Sequence, residues 1–176
     1  MKIINEQYEF QCKRNSDINE HLPTLKKYSE ECDYITEMGV RDIVSTWAFL
    51  MGKPKKLTSY DISQINETII LNAIKDTDIE FQFVLSDTTK IEIEETDLLF
   101  IDTLHTYEQL KVELELHGNK SKKYIIFHDT TLFGYRGERG DIGLNPAIEE
   151  FIEKNPHWSK HEVFTNCCGL TILKRN

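Results

Sequence analysis

Apolar residues recur along the chain with two periods. Short continuous runs, such as DLLFI at 97–101 and YIIF at 124–127, suit strands buried on both faces. Between them lie stretches with apolar positions three and four apart, the spacing of one helix face. YITEMGV, KLTSYDI, EFQFVLSD, DLLFIDT and KYIIFHD read as five strands, the first ending at Gly39 and the second near Asp61. The spacing predicts helices over about Pro23–Glu31, Ser45–Met51, Ile65–Ile74, His105–His117 and Pro146–Lys154. Gly52 and Pro54 close the second of these. The third places Ile65, Ile69 and Ala73 on one face, and the fourth has Leu110, Val112 and Leu114 among its apolar positions. Asn145 can cap the last, with Pro146 as its first residue. The tail, HEVFTNCCGLTILKR, reads as two strands meeting at a turn around Asn166.

This alternation predicts an α/β fold. The expected sheet is Rossmann-like, doubly wound, mostly parallel and seven-stranded, with helices on both faces and an antiparallel C-terminal edge hairpin. The 176 residues make one domain, with an N-terminal helical segment over 1–33. The single shift in composition is LFGYRGERGDIG at 132–143, which holds four of the eight glycines. It reads as a mobile lid loop over 132–144, with Tyr135, Arg136 and Arg139 as candidate contacts to a polar or anionic substrate.

Charge narrows the partners. There are 21 Lys plus Arg against 30 Asp plus Glu, a formal charge of −9, which disfavours a general nucleic-acid binder. No apolar run approaches the roughly 20 residues that cross a bilayer, and the first residues lack the apolar stretch of a signal peptide. Cys12, Cys32, Cys167 and Cys168 form no C-x-x-C pair and read as reduced thiols of a cytoplasmic protein. Homo-oligomerisation is left open.

An open doubly wound sheet binds ligands at the carboxyl ends of its strands. In this chain those ends carry Glu37 and Gly39, Asp61, Asp87, Asp102 and His105, and His128 and Asp129. A series of acids and histidines in these places is not needed for folding.

With these pieces in order, the sequence resembles the class I S-adenosylmethionine-dependent methyltransferases. More narrowly, it is similar to the cephalosporin hydroxylase-like and macrolide or sugar O-methyltransferase group. The matching stretches are TEMGVRDIVSTWAFL, LTSYDIS, DLLFIDTLHTYEQLKVELEL, YIIFHDTTLFG and GLNPAIEEFI, over about residues 16–154. The resemblance implies S-adenosylmethionine as cofactor. Glu37 and Gly39 then lie at the first cofactor motif, and Asp61, 22 residues beyond Gly39, clamps the ribose. Ser45 holds the amino-acid carboxylate, and Asp87 lies near the adenine amino group. It also implies a divalent metal, magnesium or manganese, at Asp102 and Asp129, with His105 as the base. His128 as a further ligand shifts the preference from magnesium toward manganese, iron or zinc. The acceptor implied is a small-molecule or sugar hydroxyl, with N-methylation open. Ile43 stands where the family pattern has its second glycine, and its β-branched side chain threatens the cofactor's place. Two other functions compete: a metal-dependent hydrolase or lyase on the same sheet, and a degenerate methyltransferase-fold binding module without catalysis.

Overall fold

The computed structural model describes residues 1–176. It contains six α-helices and one seven-stranded sheet. In chain order these are α1 (Lys2–Lys13), α2 (Leu22–Ser29), β1 (Tyr34–Met38), α3 (Ser45–Met51), β2 (Lys56–Asp61), α4 (Thr68–Ile74), β3 (Glu80–Leu85), β4 (Thr96–Ile101), α5 (Tyr107–His117), β5 (Ser121–His128), α6 (Leu144–Lys154), β6 (Trp158–Phe164) and β7 (Leu170–Arg175). The strand order is β3-β2-β1-β4-β5-β7-β6. The first five strands pair in parallel, and β7 pairs antiparallel with both β5 and β6. This is the expected doubly wound sheet with its closing hairpin.

The sheet separates two apolar layers. On one side α1–α4 pack Ile4, Leu22, Leu25, Phe49 and Leu50 against Ile35, Leu57, Phe100 and Ile126. On the other, α5 and α6 pack Leu110, Leu114, Ile148 and Phe151 against Leu99, Ile101, Ile125 and Phe127. The apolar runs of β4 and β5 contribute to both layers, which is why they lack polar alternation.

Several details depart from expectation. In α4 the inward residues are Ile70, Ala73 and Ile74, while Ile69 is 44% exposed. The helix starts at Thr68, so Ile65 packs from the preceding turn and cannot set the helix phase. Leu110 and Leu114 are buried, but Val112 lies on the open flank of α5. That helix begins at Tyr107; Thr106 caps it by accepting from the Gln109 N–H at 3.3 Å, so His105 precedes the helix. Gly143, not Asn145, is the cap of α6, and Pro146 is its third residue. An N–H there has no intrahelical partner, so proline costs nothing in hydrogen bonds. The four cysteines are free thiols. No helix is long and apolar enough to cross a membrane.

Candidate functional site

The site is built where β1, β4 and β5 end side by side. Gly39 follows β1 with φ 86°, and a Cβ there would stand 1.9 Å from the Asp102 carbonyl oxygen. Only glycine tolerates both the left-handed backbone and this approach. The Asp102 N–H in turn donates to the Met38 carbonyl at 2.8 Å, so the two strand ends are locked in register.

Two carboxylates and two imidazoles converge just beyond. His105 Nε2 lies 3.0 Å from Asp129 Oδ2 and 3.3 Å from Asp102 Oδ1. His128 Nδ1 lies 3.3 Å from Asp129 Oδ2 and 3.4 Å from Asp102 Oδ1. Each ring is held from behind. His128 Nε2 donates to the Asp17 carbonyl at 3.1 Å, and His105 Nδ1 donates to Glu138 Oε2 at 2.7 Å. The His105 ring also stacks on Phe133, with centroids 4.8 Å apart. Because a carbonyl and a carboxylate only accept, the rear nitrogens carry hydrogens. In the neutral rings, both forward nitrogens then aim lone pairs at the two carboxylates. Such a set needs protons or a cation at its centre.

With protons there, burial works against both imidazolium charges, but the facing Asp102 and Asp129 carboxylates outweigh it and push each pKa up to about 10. Burial would likewise raise the two aspartates; hydrogen bonds from His105 and His128 dominate and lower them. The donor set also suits a metal. Asp102, His128 and Asp129 each offer one ligand atom, all within 4.8 Å of one another, and a histidine with its other N–H anchored is the usual ligand arrangement. Asp129 has φ 60°, a strained backbone for a non-glycine residue, held by the surrounding structure.

The remaining predicted residues are placed as follows. Glu37 is fully buried and accepts hydrogen bonds from the hydroxyls of Ser45 (2.6 Å), Thr46 (2.9 Å) and Ser59 (2.6 Å). Ser45 is therefore occupied by Glu37 and does not present its hydroxyl to a ligand, contrary to expectation. Asp61 Oδ2 accepts the N–H groups of Val40 (2.8 Å) and Arg41 (3.0 Å), and Oδ1 accepts that of Ser63 (2.8 Å). It braces the turn after Gly39. Asp87 caps a short 3-10 turn through Thr89; its ion pair with Lys90 and the Thr89 hydrogen bonds pull its pKa down to about 2. Ile43 adopts φ 59°, the backbone a glycine would take there, and its side chain is buried in the helix-side core. Arg41 pairs with Asp17 at 2.6 Å and straps the N-terminal segment to this turn.

The 132–144 loop folds as a small hairpin, with Arg136 bridging Ile142. Arg136 and Arg139 are exposed, and the Tyr135 hydroxyl donates to Glu149 at 3.1 Å. The residue that the loop does bring to the cluster is Glu138, a negative group where positive ones were expected. Glu138 and the Asp17 carbonyl are polar participants that sequence reasoning missed. Neither stands in a motif.

No protein-family model and no curated protein matches the sequence. Solved structures do match. The chain is similar to N-methyltransferase NodS from Bradyrhizobium japonicum WM9 in complex with S-adenosyl-L-homocysteine, at 14% identity over 98% of each chain, with a TM-score of 0.68. It is similar to the O-methyltransferase from Bacillus cereus in complex with S-adenosylhomocysteine, at 14% identity over 100% of this chain and 91% of that one, with a TM-score of 0.63. An rRNA methylase from Escherichia coli matches at 14% identity over 91% of this chain and 65% of that one, with a TM-score of 0.57. Their names span N-, O- and rRNA methylation, so the likeness speaks to architecture and not to the acceptor. The chain has the fold of the class I S-adenosylmethionine-dependent methyltransferases.

Proposed function

We propose that the chain is an S-adenosylmethionine-dependent methyltransferase that O-methylates a small-molecule or sugar hydroxyl with the help of a divalent metal. The observation that carries this reading is the Asp102, His128 and Asp129 cluster, with its ligand atoms within 4.8 Å, directly beside the Gly39 turn. S-adenosylmethionine supplies a methyl group on a sulfonium, and a magnesium or manganese ion at the cluster supplies Lewis acidity that lowers the pKa of the acceptor hydroxyl.

The chain's own residues do the rest. Asp61 Oδ1 accepts only the Ser63 N–H, which leaves it capacity for a ribose hydroxyl. Gly39 lets the turn after β1 close against the Asp102 backbone, and Ile43 does not stand in the cofactor's way because its side chain packs in the core. Asp102, His128 and Asp129 hold the metal. His105, with Nδ1 tied to Glu138, offers Nε2 to take the hydroxyl proton. Holding nucleophile and methyl group in line supplies much of the acceleration. The 132–144 loop covers the acceptor, with Tyr135, Arg136 and Arg139 reaching it from the rim; Asp87 lies toward the adenine. The charge of −9 favours a small molecule over a nucleic acid as acceptor.

Calorimetric titration with S-adenosylhomocysteine and with Mn²⁺ tests the two halves separately. Both are expected to bind; Asp61→Ala loses the nucleoside and keeps the metal, and Asp129→Ala does the reverse. Metal binding without nucleoside binding would favour the hydrolase or lyase reading. Binding of neither favours a non-catalytic module, a reading that the internal hydrogen bonds of Ser45 and Asp61 support.

A further inference from the structure

Outside the Asp102 cluster, the chain buries another polar group that the proposed reaction does not use. Gln109, Glu113 and His117 recur every four residues along α5 and form a polar stripe beside its apolar face. Glu113 and His117 are both fully buried. Such side chains are seldom buried without specific partners, and here the partners lie on two separate loops.

Glu113 Oε1 accepts from the Thr88 hydroxyl at 2.5 Å and from the Gln109 amide at 2.9 Å, and Oε2 accepts from the Thr103 hydroxyl at 2.8 Å. Three donors around one carboxyl group are the set that a carboxylate satisfies. His117 Nε2 donates to the Thr88 carbonyl at 2.8 Å. Its Nδ1 is buried with no partner, so a second proton would be unpaired there, and burial pulls the pKa of the ring down. α5 thus grips Thr88 by hydroxyl and carbonyl, and it grips Thr103 through the same carboxylate.

The two threonines belong to distant strands. The strands stand in the order β3, β2, β1, β4, and their carboxyl ends bear Ser86, Asp61, Gly39 and Asp102 in turn. The Ser86 N–H donates to the Asp61 carbonyl at 2.8 Å, and the Gly39 N–H donates to the Tyr60 carbonyl at 2.9 Å, so these ends are level. β3 and β4 are three strand spacings apart, about 14 Å. The connection between them, residues 86–95, has no α-helix. Thr88 nevertheless meets the carboxylate that Thr103 meets, so the chain leaving β3 crosses back on the α5 side, past the ends of β2 and β1. A nucleoside whose ribose is held by Asp61 then lies between two walls, Asp87–Thr88 and Asp102–Thr103. A carboxylate is a costly way to fill a core position, and α5 already packs through Leu110 and Leu114.

We propose that Glu113 is a positioning residue for the nucleoside: its carboxylate ties the Asp87–Thr88 wall to the Asp102–Thr103 wall and so sets the width of the crevice above Asp61. The proposal rests on the S-adenosylmethionine reading given above.

Calorimetric titration of the full chain with adenosine and with S-adenosylhomocysteine tests it, because the first probe lacks the amino-acid end. Glu113→Leu removes both acceptors and is expected to weaken both probes by the same factor, about tenfold. Glu113→Gln keeps an acceptor for Thr88 and offers an amide to the Thr103 hydroxyl, which can accept it; this variant is expected to restore most of the affinity. Thermal unfolding checks that each variant folds. Thr103→Val cuts one arm and keeps the side-chain shape; it is expected to weaken both probes as well, and it carries the test if Glu113→Leu does not fold. Parental affinity in the folded variants overturns the proposal. A Glu113→Gln variant as weak as Glu113→Leu also overturns it, because charge and not the bridge would then be decisive. A loss confined to S-adenosylhomocysteine overturns it too, by placing the effect at the amino-acid end. A parent chain that binds neither probe is a different failure: it overturns the S-adenosylmethionine reading, and this proposal falls with it.

Discussion

Glu138 Oε2 holds Nδ1 of His105 at 2.7 Å, and the Glu138 N–H donates to the His105 carbonyl at 3.2 Å. One loop residue thus grips one histidine by side chain and backbone together. The consequence is a fixed ring: Nδ1 carries the hydrogen, and Nε2 faces Asp102 and Asp129. Glu138→Ala frees the ring, and Glu138→Gln retains an acceptor. In the proposed reaction, the alanine variant is expected to lower kcat by about 10–100-fold, the usual range for such supporting groups. The glutamine variant should recover much of the loss, and the affinity for S-adenosylhomocysteine should not move. A kcat equal to the parent's in the alanine variant would reduce the grip to loop anchoring.

Metal binding has a signature independent of turnover. A ligand that binds only the folded state stabilises it by about 2.7 kcal/mol at a hundredfold excess over Kd. Mn²⁺ is therefore expected to raise the melting temperature of the parent chain and leave that of His128→Ala unchanged. EDTA should reverse the rise. Equal stabilisation of parent and variant would move the metal away from His128.

The turn after Gly39 tests a different link. A Cβ at Gly39 would strike the backbone of Asp102, and the φ of 86° disfavours any L-residue. Gly39→Ala is expected to destabilise the fold by more than about 1 kcal/mol. It should also weaken Mn²⁺ binding, because the carbonyl that must move belongs to a proposed ligand. Urea unfolding and calorimetry read the two effects. A variant with parental stability would show that the turn adjusts freely.

Much of this was legible beforehand, for identifiable reasons. β4 and β5 stand out as apolar runs because both faces are covered. The strand-end acids and histidines can be grouped because a doubly wound sheet brings strand ends together whatever their separation in sequence. The phase of α4 escapes the pattern because seven residues cover barely two turns, too few to separate Ile69 from Ile70. The role of Ser45 as a donor to Glu37 is not legible either, because nothing in a pattern shows which buried carboxylate a hydroxyl meets. Glu138 and Asp17 were invisible because their contacts span 33 and 111 residues and obey no local spacing.

Ile43 resolves in favour of the core. Its backbone follows the glycine path at a cost of about 1–2 kcal/mol, offset by a buried side chain. Ile43→Gly relieves the strain but empties that part of the core, for a net loss on the order of 2 kcal/mol. S-adenosylhomocysteine affinity should stay at the parental value. A clear gain in affinity would mean that the side chain does obstruct the cofactor.

Glu37 predicts a pH dependence. Burial pushes its pKa up to about 7, against the opposing hydrogen bonds of Ser45, Ser59 and Thr46. A carboxyl raised in the folded state contributes stability that is complete below its unfolded pKa near 4.5 and is lost as pH rises through about 7. Unfolding free energy should therefore decline across that window, and Glu37→Gln, which cannot ionise, should flatten the decline. Urea midpoints measured at several pH values check this. Parallel pH profiles for parent and variant would show that Glu37 is already ionised at the acid end, with its three hydroxyl donors outweighing its burial.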